Sequence, residues 1–233
     1  MTPARGAPLS VVVPCLNEAE GIAATLDALA PLRARGAEVL VIDGGSSDAT
    51  AALAETRADA VLRTARGRAL QMNAGARHAR GDILLFLHAD TRLPANADSL
   101  IHEGLARSGK SWGRFDITIR GCHPMLPAIA SAMNLRSRLT HVATGDQALF
   151  VKRALFEKVG GYPAIALMED LALSAALKRE GAPLCISERA STSGRRWEKH
   201  GVLRTILLMW RLRLAYALGA DPEELALRYA PHK

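Results

Sequence analysis

Apolar positions in the first ninety residues follow two alternating rhythms. Leu9 to Val13 is a short apolar, β-branched run, which predicts a strand. Asn17-Glu18-Ala19-Glu20 then has the spacing of a capping box, with Asn17 as N-cap and Glu20 reaching back. Ile22, Leu26 and Leu29 follow at i, i+4 and i+7, one face of a helix closed by Pro31 and Gly36. Val39 to Ile42 predicts a second strand ending at Asp43. Gly44-Gly45-Ser46-Ser47-Asp48 predicts a turn into a helix capped by Ser46 or Ser47. A short strand near Ala60 to Arg63 and a helix over Ala69 to Ala79 lead to Ile83-Leu84-Leu85-Phe86-Leu87. That unbroken run predicts a strand buried on both faces, as in a parallel sheet. It stops at His88 and Asp90, which strand alternation would point to one side. Strands alternating with helices imply parallel pairing, so the fold class is α/β.

Beyond Thr91 the rhythm changes. Arg114 to Ile119 alternates like a half-exposed strand, Met125 to Leu139 reads as helical, and Asp146 to Val151 as a strand before a helix from Arg153 to Val159. Gly160-Gly161-Tyr162-Pro163 predicts a turn. Glu169 to Glu180 predicts a helix ended by Gly181, and Pro183 to Ser187 a last strand before a Ser/Thr/Gly-rich loop. Val202 to Leu218 predicts a long helix, and Pro222 starts a final short one. No repeat or linker divides the 233 residues, so one domain is expected: residues 9–91, then 92–197, then C-terminal helices over 198–233.

Composition narrows the function. Hydrophobic residues make up 49 %, enough for a full core. Cys15, Cys122 and Cys185 are odd in number and scattered, which argues against a disulfide scaffold or a zinc site and fits a reducing, cytoplasmic compartment. No signal peptide and no membrane span of roughly 18 apolar residues is expected. A net charge of +7 favours anionic partners: a nucleotide, a pyrophosphate or an acidic membrane surface. With only ten aromatics and no recognisable motif, nucleic acid is not expected. The apolar residues of 202–218 nearly encircle their helix. Packing on the core or on a partner subunit in a homodimer is the first expectation, and peripheral contact with the inner face of a membrane the alternative.

Several constellations carry chemistry, each with a plainer reading beside it. His88 and Asp90 can share a divalent cation, the carboxylate suiting Mg²⁺ or Mn²⁺; otherwise Asp90 caps a loop. Asp43 beside a Gly-Gly turn can meet a base or ribose, or can simply close an Asx-turn. Glu169-Asp170 can offer a general base, or can serve the helix dipole, which would keep Asp170 ionised but make it weaker as a base. Arg195-Arg196-Trp197 and Arg66-Gly67-Arg68 can receive phosphates, or can be solvated basic loops. G-x-G-x-x-G and P-loop patterns are both absent.

In order along the chain, Val12-Val13-Pro14-Cys15-Leu16-Asn17-Glu18, Ile42 to Thr50, Gly67 to Gly75, Leu87-His88-Ala89-Asp90-Thr91, Gly145 to Arg153 with Gly160-Gly161-Tyr162, Met168-Glu169-Asp170 and Arg196-Trp197 resemble the motifs of family-two inverting glycosyltransferases of the GT-A fold. The nearest subgroup is that of the small bacterial radical-SAM/selenodomain-associated transferase 2 proteins, linked to arsenosugar biosynthesis. The resemblance implies a Rossmann-like nucleotide-diphospho-sugar transferase that moves a sugar, from a UDP-sugar, to an unidentified acceptor hydroxyl with inversion. It implies that Pro14, Asn17 and Glu18 line the nucleotide pocket, with Gly67, Arg68, Asn73 and Ala89 on the same side, and that Asp43 reads the uracil edge. Asp90, with His88, would hold Mn²⁺ or Mg²⁺ on the diphosphate. Asp170, beside Glu169, would be the base. Gly145, Asp146, Arg196 and Trp197 would lie near pyrophosphate and acceptor. His88 stands where the family has the first Asp of its D-x-D element, and Ser193 where it often has Gln or Arg. The rival readings are a non-catalytic nucleotide-sugar-binding or membrane-recruiting protein with a decayed metal site, and a sugar nucleotidyltransferase. The latter needs a Gly-rich basic loop that Pro14-Cys15-Leu16-Asn17 lacks.

Overall fold

The computed structural model describes residues 9–229. Seven strands form one sheet in the order β3-β2-β1-β4-β6-β5-β7. Its first half comprises β1 (Leu9–Cys15), β2 (Glu38–Asp43), β3 (Ala60–Arg63) and β4 (Ile83–Phe86), all parallel, linked by α1 (Ala19–Ala34), α2 (Thr50–Glu55) and α3 (Arg68–His78). These are the four strands and three helices that the hydrophobic rhythm predicts. β1 and β4 are buried along their length, so each lies between covered faces. Helix α3 packs closely on β1 and β2: a Cβ on Gly75 would stand 2.3 Å from Val12 Cγ1 and 3.0 Å from Ile42 Cγ1.

The second half comprises α4 (Ala97–Ser108), β5 (Trp112–Arg120), α5 (Leu126–Thr140), a 3₁₀ turn (Gly145–Gln147), β6 (Phe150–Lys152), α6 (Arg153–Lys158), α7 (Glu169–Glu180) and β7 (Leu184–Ser193). β6 runs antiparallel to both β4 and β5, while β7 is parallel to β5. Helices α8 (Arg195–His200), α9 (Val202–Ala217) and α10 (Pro222–Tyr229) complete the chain. Among the described residues, no helix is long and apolar enough to cross a membrane.

Local expectations fail where distant side chains take over. Asn17 is not an N-cap: it is left-handed, and α1 starts two residues later with no side-chain cap. The orphan N–H groups of Glu18 and Ala19 instead donate to Thr50 Oγ1 (2.8 Å) and Asp48 Oδ2 (3.2 Å) of the neighbouring loop. That loop therefore caps α1, and neither Ser46 nor Ser47 caps α2, which begins at Thr50. Pro31 lies inside α1 rather than closing it. β5 is buried on both faces because its polar residues pair under α5. Arg114 pairs with Asp116, Arg138 Nη2 reaches Asp116 Oδ2 at 2.7 Å, and the Asn134 amide bridges both backbone groups of Ile117. The expected strand at Asp146 begins only at Phe150, because residues 145–147 coil into the 3₁₀ turn. β7 runs six residues past Ser187, since its Ser/Thr stretch continues the ladder with β5 beyond a bulge at Phe115/Asp116. Helix α4 has no counterpart in the sequence reading, although Ile101 and Leu105 carry its buried face.

Gln71 ties the sheet's leading edge together. Its buried Nε2 donates to Cys15 O (2.8 Å) and Ile42 O (2.7 Å), the carboxyl ends of β1 and β2. Replacing it with Leu removes this donor from both carbonyls, leaving Cys15 O with the Gly44 N–H at 3.0 Å. Gln71→Leu is expected to lower stability by about 1–3 kcal/mol in equilibrium urea unfolding. An unchanged midpoint would remove this tie from the account.

Candidate active site

β1 sits between β2 and β4, so the chain order reverses there. Ligands of open α/β sheets bind beyond the carboxyl ends of strands at such a point. The loops after β1 and β2 interlock on that edge. Asn17 N–H donates to Ser46 Oγ at 2.9 Å, and Ser47 N–H donates to Asn17 Oδ1 at 2.9 Å. Asp43 is 1 % exposed and accepts from both the backbone N–H and the hydroxyl of Ser46. The Asx-turn reading of Asp43 therefore describes its contacts. Burial, then Asp43 and Glu18, push the neighbouring Cys15 thiol up to about 12, so it stays protonated. Pro14 is buried within β1. Glu18 is gripped by Arg195, the first residue of α8, at 3.0 Å, and Arg195 also reaches Glu20 at 3.6 Å. This clasp ties the C-terminal segment to the loop that follows β1. The sequence offered Arg195 only as one of two adjacent arginines.

After β4 the chain does not stay extended. Thr91 N–H donates to His88 O (3.0 Å), so residues 88–91 form a turn and strand alternation does not align His88 with Asp90. His88 faces the 3₁₀ turn, its Nδ1 3.2 Å from Asp146 Oδ1. Asp90 lies beside different partners. Its carbonyl accepts from Arg120 Nη2 (2.9 Å), its carboxylate accepts from Thr91 Oγ1 (3.3 Å), and it acts electrostatically on Arg120 and Arg195. Among the described residues, no three His, Cys, Asp or Glu side chains converge on one cation position.

His88, Gly145, Tyr162, Glu169 and Asp170 line a narrow cleft beside Phe86 and Leu149, at the ends of β4 and β6. Asp170 Oδ2 accepts from Gly145 N–H at 2.8 Å, and its Oδ1 accepts from Leu171 N–H at 2.8 Å. A Cβ on Gly145 would lie 2.2 Å from His88 Nε2, so only glycine fits between the imidazole and this bond. Burial raises Asp170, and the two N–H donors and His88 only partly offset it. Burial also raises Glu169, with the Asp170 charge adding to it. The helix dipole was expected to weaken Asp170 as a base; desolvation is the larger effect and moves it the other way. Asp146 behaves oppositely. Burial alone would raise it, but His88, Arg196 and Arg68 pull it down to about 2.

The basic groups are distributed unexpectedly. Arg68, expected on the nucleotide side, acts on Glu169, Asp146 and Asp170 across the cleft. Arg196 stacks over the Tyr229 ring, 5.0 Å from its centroid, and Trp197 packs against the hydrophobic core. Arg136 of α5 points its field at Asp170 and Asp146, while its buried Nε and Nη2 have no hydrogen-bond partner among the described residues. Asn73 pairs with the Tyr162 backbone, at 2.7 and 3.0 Å, so its amide fastens the Gly160–Tyr162 turn. Ala89 is buried, its carbonyl accepting from Thr25 Oγ1 at 2.6 Å, and Gly67 precedes the first turn of α3. Gln71 and Tyr162 lie inside the quoted segments Gly67 to Gly75 and Gly160-Gly161-Tyr162 but were given no role there, and Arg136 carries no sequence signal.

Because Glu169 and Asp170 are raised from 4.5 and 3.8, the folded state binds their protons more tightly. Their ionisation therefore destabilises the fold as pH rises through the window above those values, and the effect vanishes below it. Glu169→Gln with Asp170→Asn is expected to raise Tm relative to the parent at pH 7, with the gap closing near pH 3.5. Thermal unfolding at both values checks this; a variant less stable at pH 7 than at pH 3.5, relative to the parent, contradicts it.

Residues 10–158 match Glycosyl transferase family 2. An uncharacterized glycosyltransferase of Mycobacterium tuberculosis is 30 % identical over 207 residues, covering 80 % of this chain and 76 % of that one. Among solved structures, S. aureus TarS 1–349 is similar with a TM-score of 0.66 at 17 % identity, over 81 % of this chain and 61 % of that one. A Pyrobaculum calidifontis mannosyltransferase in complex with GDP-Man and Mn²⁺ gives 0.65 at 24 %, over 91 % and 62 %. A Mycobacterium tuberculosis glucosyl-3-phosphoglycerate synthase in complex with Mn²⁺, UDP and glucosyl-3-phosphoglycerate gives 0.58 at 20 %, over 80 % and 71 %. The chain spans less than two thirds of the first two of these solved chains. With its single α/β domain and mostly parallel seven-stranded sheet, the chain has the GT-A fold and belongs to glycosyl transferase family 2.

Proposed function

We propose that this glycosyltransferase moves a sugar from a UDP-sugar to an acceptor hydroxyl with inversion, with Asp170 as the base. The observation that carries the proposal is the Asp170 carboxylate: it lines the same cleft as His88 and is held by Gly145 and raised by burial. A base works best when its pKa approaches the working pH, and burial moves Asp170 in that direction. In an inverting displacement the acceptor oxygen bonds to the anomeric carbon as the bond to the diphosphate breaks. Asp170 takes the acceptor proton, the diphosphate leaves with the electron pair, and no covalent enzyme intermediate forms. Glu169 keeps its carboxylate buried beside the base.

Residues 9–91 would supply the nucleotide half and residues 92–197 the acceptor half. Pro14, Asn17 and Glu18 would border the nucleotide, with Asp43 holding the loop that meets the base. Solved relatives in complex with UDP-GlcNAc, with UDP and with GDP-Man support a nucleotide-sugar donor. The finer placement in the arsenosugar-linked subgroup rests on resemblance alone.

A divalent cation fits here only if shared with the substrate. Mg²⁺ and Mn²⁺ are commonly held by one or two carboxylates together with phosphate oxygens, and Asp90 offers one beside a strand end. When bound, the cation would neutralise charge developing on the departing diphosphate. His88, engaged with Asp146, would be the secondary contact. Arg68 and Arg196 would offset the negative charge gathered in the cleft.

Asp170→Asn is expected to slow transfer by at least about 100-fold while leaving UDP affinity in calorimetry unchanged, with Glu169→Gln milder. Transfer at the parental rate by Asp170→Asn would place the base elsewhere. For the cation, Asp90→Ala should abolish Mn²⁺-dependent UDP binding and His88→Ala only weaken it. The opposite ranking would reverse the two roles.

A further inference from the structure

Helix α9 has two apolar faces, and only one of them meets the protein. Leu212 is buried, and with Leu208, Met209 and Tyr216 it packs against Met168 and the α10 residues Leu225 and Tyr229. On the opposite side Leu203, Leu207, Trp210, Leu214 and Leu218 stand at spacings of four, three, four and four, one continuous stripe along the helix. Each is between 62 % and 80 % exposed. Single exposed leucines are ordinary on a protein surface; five in register on one helix, with a tryptophan at the centre, are not.

The flanks of the stripe say what covers it. Arg204 and Arg211 are exposed and lie roughly 60–80° around the helix on one side, and Arg213 about 100° around on the other. No Asp or Glu occurs anywhere in α9. A second copy of this helix laid against the stripe would bring arginine rows together with no carboxylate of α9 to pair them. A standard protein interface also takes about 20–30 residues a side, whereas the stripe offers five. The acidic residues Glu223 and Glu224 belong to α10, which packs on the inner face of α9 through Leu225 and Tyr229. An apolar stripe with a central indole and arginine on its shoulders fits the headgroup boundary of an anionic bilayer, with the helix lying in the plane. The chain's charge of +7 acts in the same direction.

We infer that α9 docks this protein flat on an anionic lipid surface, through Leu203, Leu207, Trp210, Leu214 and Leu218 with Arg204 and Arg211 beside them. The inference does not depend on which sugar or acceptor the cleft takes. It places the protein on a membrane rather than across one, in keeping with the length of α9.

The test uses the full chain with vesicles of phosphatidylcholine alone and of phosphatidylcholine with phosphatidylglycerol. Co-sedimentation is expected with the anionic vesicles at low salt and is lost at high salt. The emission of Trp210 should shift to the blue on binding and be quenched by brominated lipid. Trp210→Ser with Leu214→Ser, both at exposed positions, should abolish binding while circular dichroism and thermal unfolding stay parental. Arg204→Gln with Arg211→Gln should weaken partitioning roughly 25-fold, about fivefold for each charge removed near the surface. Failure of the parent chain to bind anionic vesicles at low salt overturns the inference. So do equal binding to neutral vesicles, parental binding by the Trp210/Leu214 variant, or a vesicle-insensitive dimer in light scattering that the same variant dissociates.

Discussion

The bond from Gly145 N–H to Asp170 Oδ2, 2.8 Å long, fixes the geometry on which the cleft depends. It fastens the 3₁₀ turn that follows α5 to the first turn of α7. Asp146, next in that turn, then meets His88 at 3.2 Å, and the absence of a Cβ at Gly145 leaves room for the imidazole. Three segments far apart in sequence thus converge on one carboxylate. That carboxylate sits beside a second, Glu169, in an environment that disfavours the charge of both. Arg68 and Arg136 supply an opposing field from two different helices, and Arg196 acts on the neighbouring Asp146 from a third.

The sheet explains why the cleft lies where it does. The parallel half ends at Asp43, at the Asn17 loop and at the His88 turn, and Gln71 draws the first two of these edges together from α3. The antiparallel insertion of β6 between β4 and β5 lays the 3₁₀ turn against the end of β4. Arg195 then clasps Glu18, so the C-terminal helices are anchored to the loop after β1 and not left as a loose extension. The segment that carries the exposed stripe of α9 is joined to the site through that clasp and through Arg196 on Tyr229.

How much of this could be read beforehand differs between the two halves. Residues 9–91 were legible because buried parallel strands are written as unbroken apolar runs and their helices as a 3.6-residue period. The second half hid its strands in polar sequence. Arg114 and Asp116 look solvent-facing until Arg138 and Asn134 arrive from α5, and the Ser/Thr stretch of β7 looks like a loop until β5 lies beside it. At the site, the cleft unites His88, Gly145, Glu169 and Asp170, all quoted from motifs. What spacing could not convey was direction. Asn73 turns to Tyr162, the charge of Arg68 is felt by the acidic cleft, and residues 88–91 bend so that His88 and Asp90 have separate partners. The direction in which Asp170 shifts is hidden for a similar reason: a dipole is visible in sequence, whereas burial by residues from distant segments is not.

The most direct test of the account is the stereochemistry of transfer. Proton nuclear magnetic resonance of the first-formed product, recorded before mutarotation or with a non-reducing acceptor, reports the anomeric configuration against that of the nucleotide-sugar donor. A single displacement assisted by one base predicts complete inversion. Retention would require two displacements or a different route, and would contradict the role given to Asp170.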